Sequence, residues 1–134
     1  RPRFAPTDDD AWQVTTAFLS AAQRGDLEAL VDLLAHDAVA ISDGGPERHA
    51  ARRPVVAERM PRFLVNLTRR GLAPDDEVLP VCLNGQPGVA VRRAGRTTLA
   101  LAVAVADGKV QRVWSVLNPD KLAGLDAELR DGGG

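Results

Sequence analysis

A chain of 134 residues, 45% hydrophobic and 26% charged, has the size and composition of one ordinary globular domain. Its 17 Lys and Arg stand against 18 Asp and Glu, and a formal net charge of −1 argues against an autonomous duplex-binding protein. A single cysteine excludes an internal disulfide, and no apolar run approaches the roughly 18 residues of a membrane helix. With no signal peptide visible, the expected compartment is the reducing cytoplasm.

Residues 1–6 carry two prolines and read as a linker from a preceding domain. Residues 7–130 read as the folded domain, and 131–134 as a flexible tail. Thr7 followed by Asp8, Asp9 and Asp10 is a helix start, a cap and then acids at the positive end of the dipole. Trp12, Thr15, Leu19 and Ala22 are expected on one buried face with Phe18 beside it, and Gly25 ends the helix. Asp26 opens a second helix, in which Leu27, Leu30, Val31 and Leu34 fall at i, i+3, i+4 and i+7. His36 is expected at its end.

Val39 to Ser42 reads as a short strand, 43–46 as a turn and 48–51 as the returning strand. A third helix carries Met60, Phe63, Leu64 and Leu67, with Pro61 confined to its first turn. From Glu77 the pattern is β. Strands near 78–83, 89–93, 96–106 and 109–117 are separated by the turn formers of 84–88, Ala94-Gly95 and Asp107-Gly108. Helices first and a meander last predict an α+β fold, with a curved antiparallel sheet wrapped around the N-terminal helices.

Within the strand at 96–106, Leu99, Leu101, Val103 and Val105 alternate with Ala100, Ala102, Ala104 and Ala106. Successive side chains point to opposite faces, so one face is large and the other is alanine. The large face is expected against the helices. The alanine face either admits a close neighbouring surface or is covered by long side chains from adjacent strands.

The end of the last strand is the most informative stretch. Asn118 can cap a helix, Pro119 suits its first position, and Asp120 complements the dipole; Leu122, Leu125 and Leu129 give the helix an apolar stripe. The segment Asn118-Pro119-Asp120-Lys121-Leu122, with Ser42-Asp43-Gly44-Gly45 upstream, resembles the C-terminal SnoaL-like extension of a group of extracytoplasmic-function (ECF) sigma factors. Phe18 to Leu30, Ala51-Arg52-Arg53-Pro54-Val55-Val56 and Asn84-Gly85-Gln86-Pro87-Gly88 resemble further signatures of the same group, in the same order. The resemblance implies the cone-shaped fold of the SnoaL and nuclear-transport-factor-two type. It also implies a regulatory domain that modulates promoter and polymerase binding through contacts with sigma-factor core domains of the same chain. RNA polymerase would be the further partner. Pro46 and Glu47 stand where the group's glycine turn continues with glycine and lysine.

The expected contact residues are Asp43, Gly44 and Gly45 together with Asn118, Pro119, Asp120, Lys121 and Leu122. Cone folds also host polyketide cyclases and hydrolases, which need an acid or base on the pocket wall. Asp43 is the one inviting carboxylate, and it reads as a turn residue. Two histidines, His36 and His49, and Cys82 show no metal-ligand spacing, so neither metal nor cofactor is expected, and the chain reads as a non-enzyme. Trp114, Arg112 and Val116 alternate in register. If that side faces the cone interior, Trp114 and Arg112, with Phe63, form a pocket wall, and a small-molecule sensor is the alternative function. Direct nucleic-acid and membrane binding are not expected, while pairing with a second copy stays open. Arg48, Arg52 and Arg53, or Arg69 and Arg70, read as local basic patches or as solvated faces.

Overall fold

Acids in the first turn and Arg24 in the last complement the dipole of α1 (Asp9–Arg24). The structure, a computed structural model, describes residues 9–43, 54–83, 85–117 and 122–125. Ala11, Thr15, Phe18 and Ala22 recur at i, i+4, i+7 and i+11 and, with Ala21, form the buried stripe of α1. Trp12 and Leu19 are only partly buried. Gly25, at φ +72°, stops the helix, and the Asp26 N–H reaches back to the Ala21 carbonyl at 2.9 Å. Asp26 then caps α2 (Leu27–Leu33) by accepting from the Ala29 N–H at 3.1 Å.

The second helix is shorter than its apolar spacing suggests. Leu30 is buried, but Leu27 and Val31 are 37% and 58% exposed, and Leu34 already belongs to β1 (Leu34–Asp43). A two-turn helix can turn only one residue of that stripe fully inward. The chain then enters the sheet, where the β-branched residues of 39–41 continue it. His36 consequently lies exposed in the strand, not at a helix end. The antiparallel partner of β1 is β2 (Val55–Val56), with Val39 opposite Val56. The expected partner at 48–51 lies outside the described residues.

Helix α3 (Met60–Gly71) holds Pro61 in its first turn, where no intrahelical N–H is lost. It buries Met60, Leu64, Val65 and Thr68. Strands β3 (Glu77–Leu83), β4 (Gln86–Arg93), β5 (Arg96–Ala106) and β6 (Lys109–Val116) then form the meander. Both residues of the Ala94-Gly95 and Asp107-Gly108 turns have positive φ, the geometry that matches strand twist in two-residue hairpins. The six strands run in the order β2-β1-β6-β5-β4-β3. Four of the five pairings are antiparallel, as expected of the curved sheet, and β1 pairs with β6 in parallel. The reason is topological. These two strands are joined by α3 and four intervening strands, so no hairpin dictates their direction.

Helices α1–α3 cover one face of the sheet. There Phe18, Leu30, Met60 and Leu64 pack with Leu101, Val103, Val110 and Val113. The alternation in β5 therefore works as expected on its large side. Its alanine side meets residues 122–125, one helical turn: Leu122 and Leu125 pack on Val81, Ala90 and Ala100. Small side chains give this turn its seat.

Candidate functional site

The parallel pairing of β1 with β6 brings together two stretches far apart in sequence. Ile41 lies opposite Trp114, Ser42 opposite Ser115 and Asp43 opposite Val116. Both strands thus reach the same end of the sheet side by side. Gly44 and Gly45 directly follow one of them, and Asn118 follows the other by two residues. Positions 44–45 and 118–121 lie outside the described residues. Leu122 is described and is 6% exposed, its side chain committed to the alanine seat.

Just inside this end, the Ser42 and Ser115 hydroxyls hydrogen-bond across the two strands at 2.8 Å. Ser115 is fully buried, on the same side of β6 as Val113 and hence toward the helices. The pair links the strands that carry the two motifs. Sequence reading missed it, although in each strand a serine precedes the motif within three residues.

Arg112 and Trp114 sit on the opposite face, because Ala104 and Ala102 are their partners on β5. The Arg112 guanidinium lies 5.6 Å from the Trp114 ring centroid, within cation–π range. Phe63, by contrast, packs against the helix-side core. Arg112, Trp114 and Phe63 therefore do not line one pocket. The alternation of β6 put Arg112 and Trp114 on one side correctly, but the apolar residues Val110 and Val113 claimed the interior. An irregularity in the β5–β6 register between Ala104 and Val105 turns Val110 inward.

Toward the helices, the buried polar residues among those described are Thr15, Thr68, Thr97 and Ser115. All are hydroxyls, weak acids and weak bases near neutral pH. Thr68 donates to the Ala22 and Val65 carbonyls, binding α3 to α1. The best-held carboxylate is at the rim. Asp76 accepts from Arg93 through both oxygens at 2.8 Å and from the Ala73 N–H at 2.8 Å. The hydrogen bonds from Arg93, then that from Ala73, hold its carboxyl at about 2, below the usual 3.8. This clamp ties the α3–β3 loop to the end of β4. No helix of the described residues is long and apolar enough to cross a membrane.

No protein-family model matches the chain. The ECF RNA polymerase sigma factor SigJ of Mycobacterium tuberculosis is 31% identical over 128 residues, which cover 88% of this chain and 41% of SigJ. The crystal structure of SigJ superposes with a TM-score of 0.68 at 26% identity, over 88% of this chain and 45% of SigJ. The chain thus spans less than half the length of this relative. An NTF-2-like protein of unknown function from Burkholderia xenovorans matches with a TM-score of 0.54 at 14% identity, over 82% of this chain and 84% of that protein. A putative polyketide cyclase from Xanthomonas campestris matches with a TM-score of 0.54 at 19% identity, over 86% and 96%. Those two likenesses show the fold. The chain has the α+β fold of NTF2-like proteins, and it is similar to part of an ECF sigma factor.

Proposed function

We propose that this domain regulates an ECF sigma factor from within the same polypeptide, modulating how the promoter-reading domains engage RNA polymerase and DNA. The observation that carries this reading is the similarity to SigJ over 88% of the chain. The register of β1 against β6 supports it further. Two sequence-distant motifs, 43–45 and 118–122, leave adjacent strands at one end of the sheet, as the two halves of a single contact surface would. Asp43, Gly44, Gly45, Asn118, Pro119, Asp120 and Lys121 form that surface, while Leu122 anchors it. RNA polymerase is reached through the core domains, and the compartment is the cytoplasm.

Lys121 supplies the test. A lysine in a first helical turn is unfavourable by a few tenths of a kcal/mol up to about 1 kcal/mol, which a partner carboxylate or carbonyl offsets. In the full-length sigma factor, Lys121→Ala should leave the thermal midpoint of this domain nearly unchanged while altering transcription from a cognate promoter in vitro. Asn118→Ala should cost about 0.5–2 kcal/mol through loss of the cap. Parent-like transcription and interdomain crosslinking by the Lys121 variant would remove the contact surface from the proposal.

A further inference from the structure

A net charge of −1 averages over the whole surface, and the arginines are not evenly spread. Residues 58–70 contain four arginines, Arg59, Arg62, Arg69 and Arg70, and a single acid, Glu58. In helical register Arg59, Arg62, Asn66, Arg69 and Arg70 share an arc of about 100°. All five are exposed. Met60, Leu64, Val65 and Thr68 occupy the opposite, buried side. Among the described residues none of the four guanidiniums has a carboxylate or hydrogen-bond partner, whereas Arg24 and Arg93 are paired with Asp26 and Asp76.

We propose that this arginine face of α3 contacts the phosphate backbone of duplex DNA without reading sequence. From Arg59 to Arg70 the helix rises about 16 Å, enough to face several phosphates on a duplex that carries one charge per about 1.7 Å of axis. Guanidinium and amide groups are the side chains that hold phosphate oxygens and fix register without base contact. An acidic protein partner is the competing occupant. Protein interfaces, however, centre on apolar and aromatic groups, and the exposed large hydrophobics Leu27, Val31, Val56 and Val78 all lie outside α3. The inference stands on the charge distribution of α3 and is independent of the sigma-factor reading. It departs from the expectation, drawn from the net charge of −1, that this domain does not bind nucleic acid directly.

The experiment titrates the 134-residue chain against a fluorescent 30-base-pair duplex of arbitrary sequence, from about 50 to 200 mM salt. Binding at low salt with a log–log slope of about −2 to −4 is expected, at about 0.9 per phosphate contact. The double variant Arg62→Gln/Arg69→Gln should lose about tenfold or more in affinity. Arg62→Lys/Arg69→Lys, which keeps the charge, should retain most of it. Arg112→Gln, on the sheet face away from the helices, should bind as the parent does. No binding at low salt, or parent-like binding by the glutamine variant, overturns the proposal. Polyglutamate of matched charge binding as tightly as the duplex also overturns it and assigns the face to an acidic protein.

Discussion

The two faces of the sheet are built from the same strands on different principles. Toward the helices, Phe18, Leu30, Met60 and Leu64 meet Leu101, Val103, Val110 and Val113, and each of the eight is at most 3% exposed. On the other face, among the described residues, Ala90 and Ala100 pack with Val81 and with Leu122 and Leu125, which are 6% and 9% exposed. Beyond this seat Trp114 remains partly exposed and Arg112 exposed. The first face stabilises by volume, each large side chain contributing about 1.5–3 kcal/mol on burial. The second stabilises by close approach, small alanines seating Leu122 and Leu125 against the strands. The strand order puts the motif-bearing ends of β1 and β6 next to this lighter face. The contact segment proposed above, attached through Leu122, would thus respond to a partner without disturbing the main core.

The comparison is broken most directly at Phe18. Phe18→Ala should cost about 3–5 kcal/mol in urea unfolding, the usual penalty for a fully buried aromatic. A loss below about 1 kcal/mol would mean that the helix-side core is not the main source of stability.

The seat is tested by filling it. Ala100→Leu keeps the residue apolar but pushes against Leu122 and Leu125, and should cost about 1–3 kcal/mol. The effect should be local, with faster amide exchange at 122–125 and protection unchanged in α1. If α1 and residues 122–125 lose protection together, the two faces form one unit and the contrast fails.

The rim clamp is a control that belongs to neither face. With Arg93 present, Asp76 has its carboxyl depressed from 3.8 to about 2. The associated stability is therefore present above pH 3.8 and is lost as pH falls toward 2. Arg93→Gln should lower the thermal midpoint at pH 7, and parent and variant should converge as the pH is taken from 3.8 down to 2. A gap constant across that window would show that Arg93 acts by packing rather than by charge.

What the sequence made legible was local. The Leu/Ala alternation announced a two-sided strand, Asp107-Gly108 a hairpin, Gly25-Asp26 a helix boundary and Pro61 a first turn, because each is dictated by neighbours within a few residues. The pairing of β1 with β6 was not legible, since Ile41 and Trp114 are 73 positions apart and no turn connects their strands. The Ser42–Ser115 bond depends on that pairing and was hidden with it. Trp114 and Arg112 were placed on the same side correctly, yet periodicity alone cannot say which side is inside. The shift in register past Ala104 decides that. The basic face of α3 was only half visible, as Arg69-Arg70, because Arg59 and Arg62 join it only after the helix is wound.

The finest difference between the faces lies at Arg112. If Trp114 belongs to an open face, its cation–π contact is solvated, and such contacts contribute about 0.5–1 kcal/mol. Arg112→Gln should therefore cost no more than that, and Trp114 should stay accessible to acrylamide in parent and variant alike. An enclosed site behaves differently, because a desolvated pair is worth about 2 kcal/mol or more and its tryptophan is shielded from quencher. The molecule has a second tryptophan, Trp12, so quenching is read in a Trp12→Phe background. A loss near 2 kcal/mol together with a protected Trp114 would show that something covers this face in solution. The small loss with an accessible ring keeps the outer face as the open, lightly held side of the sheet.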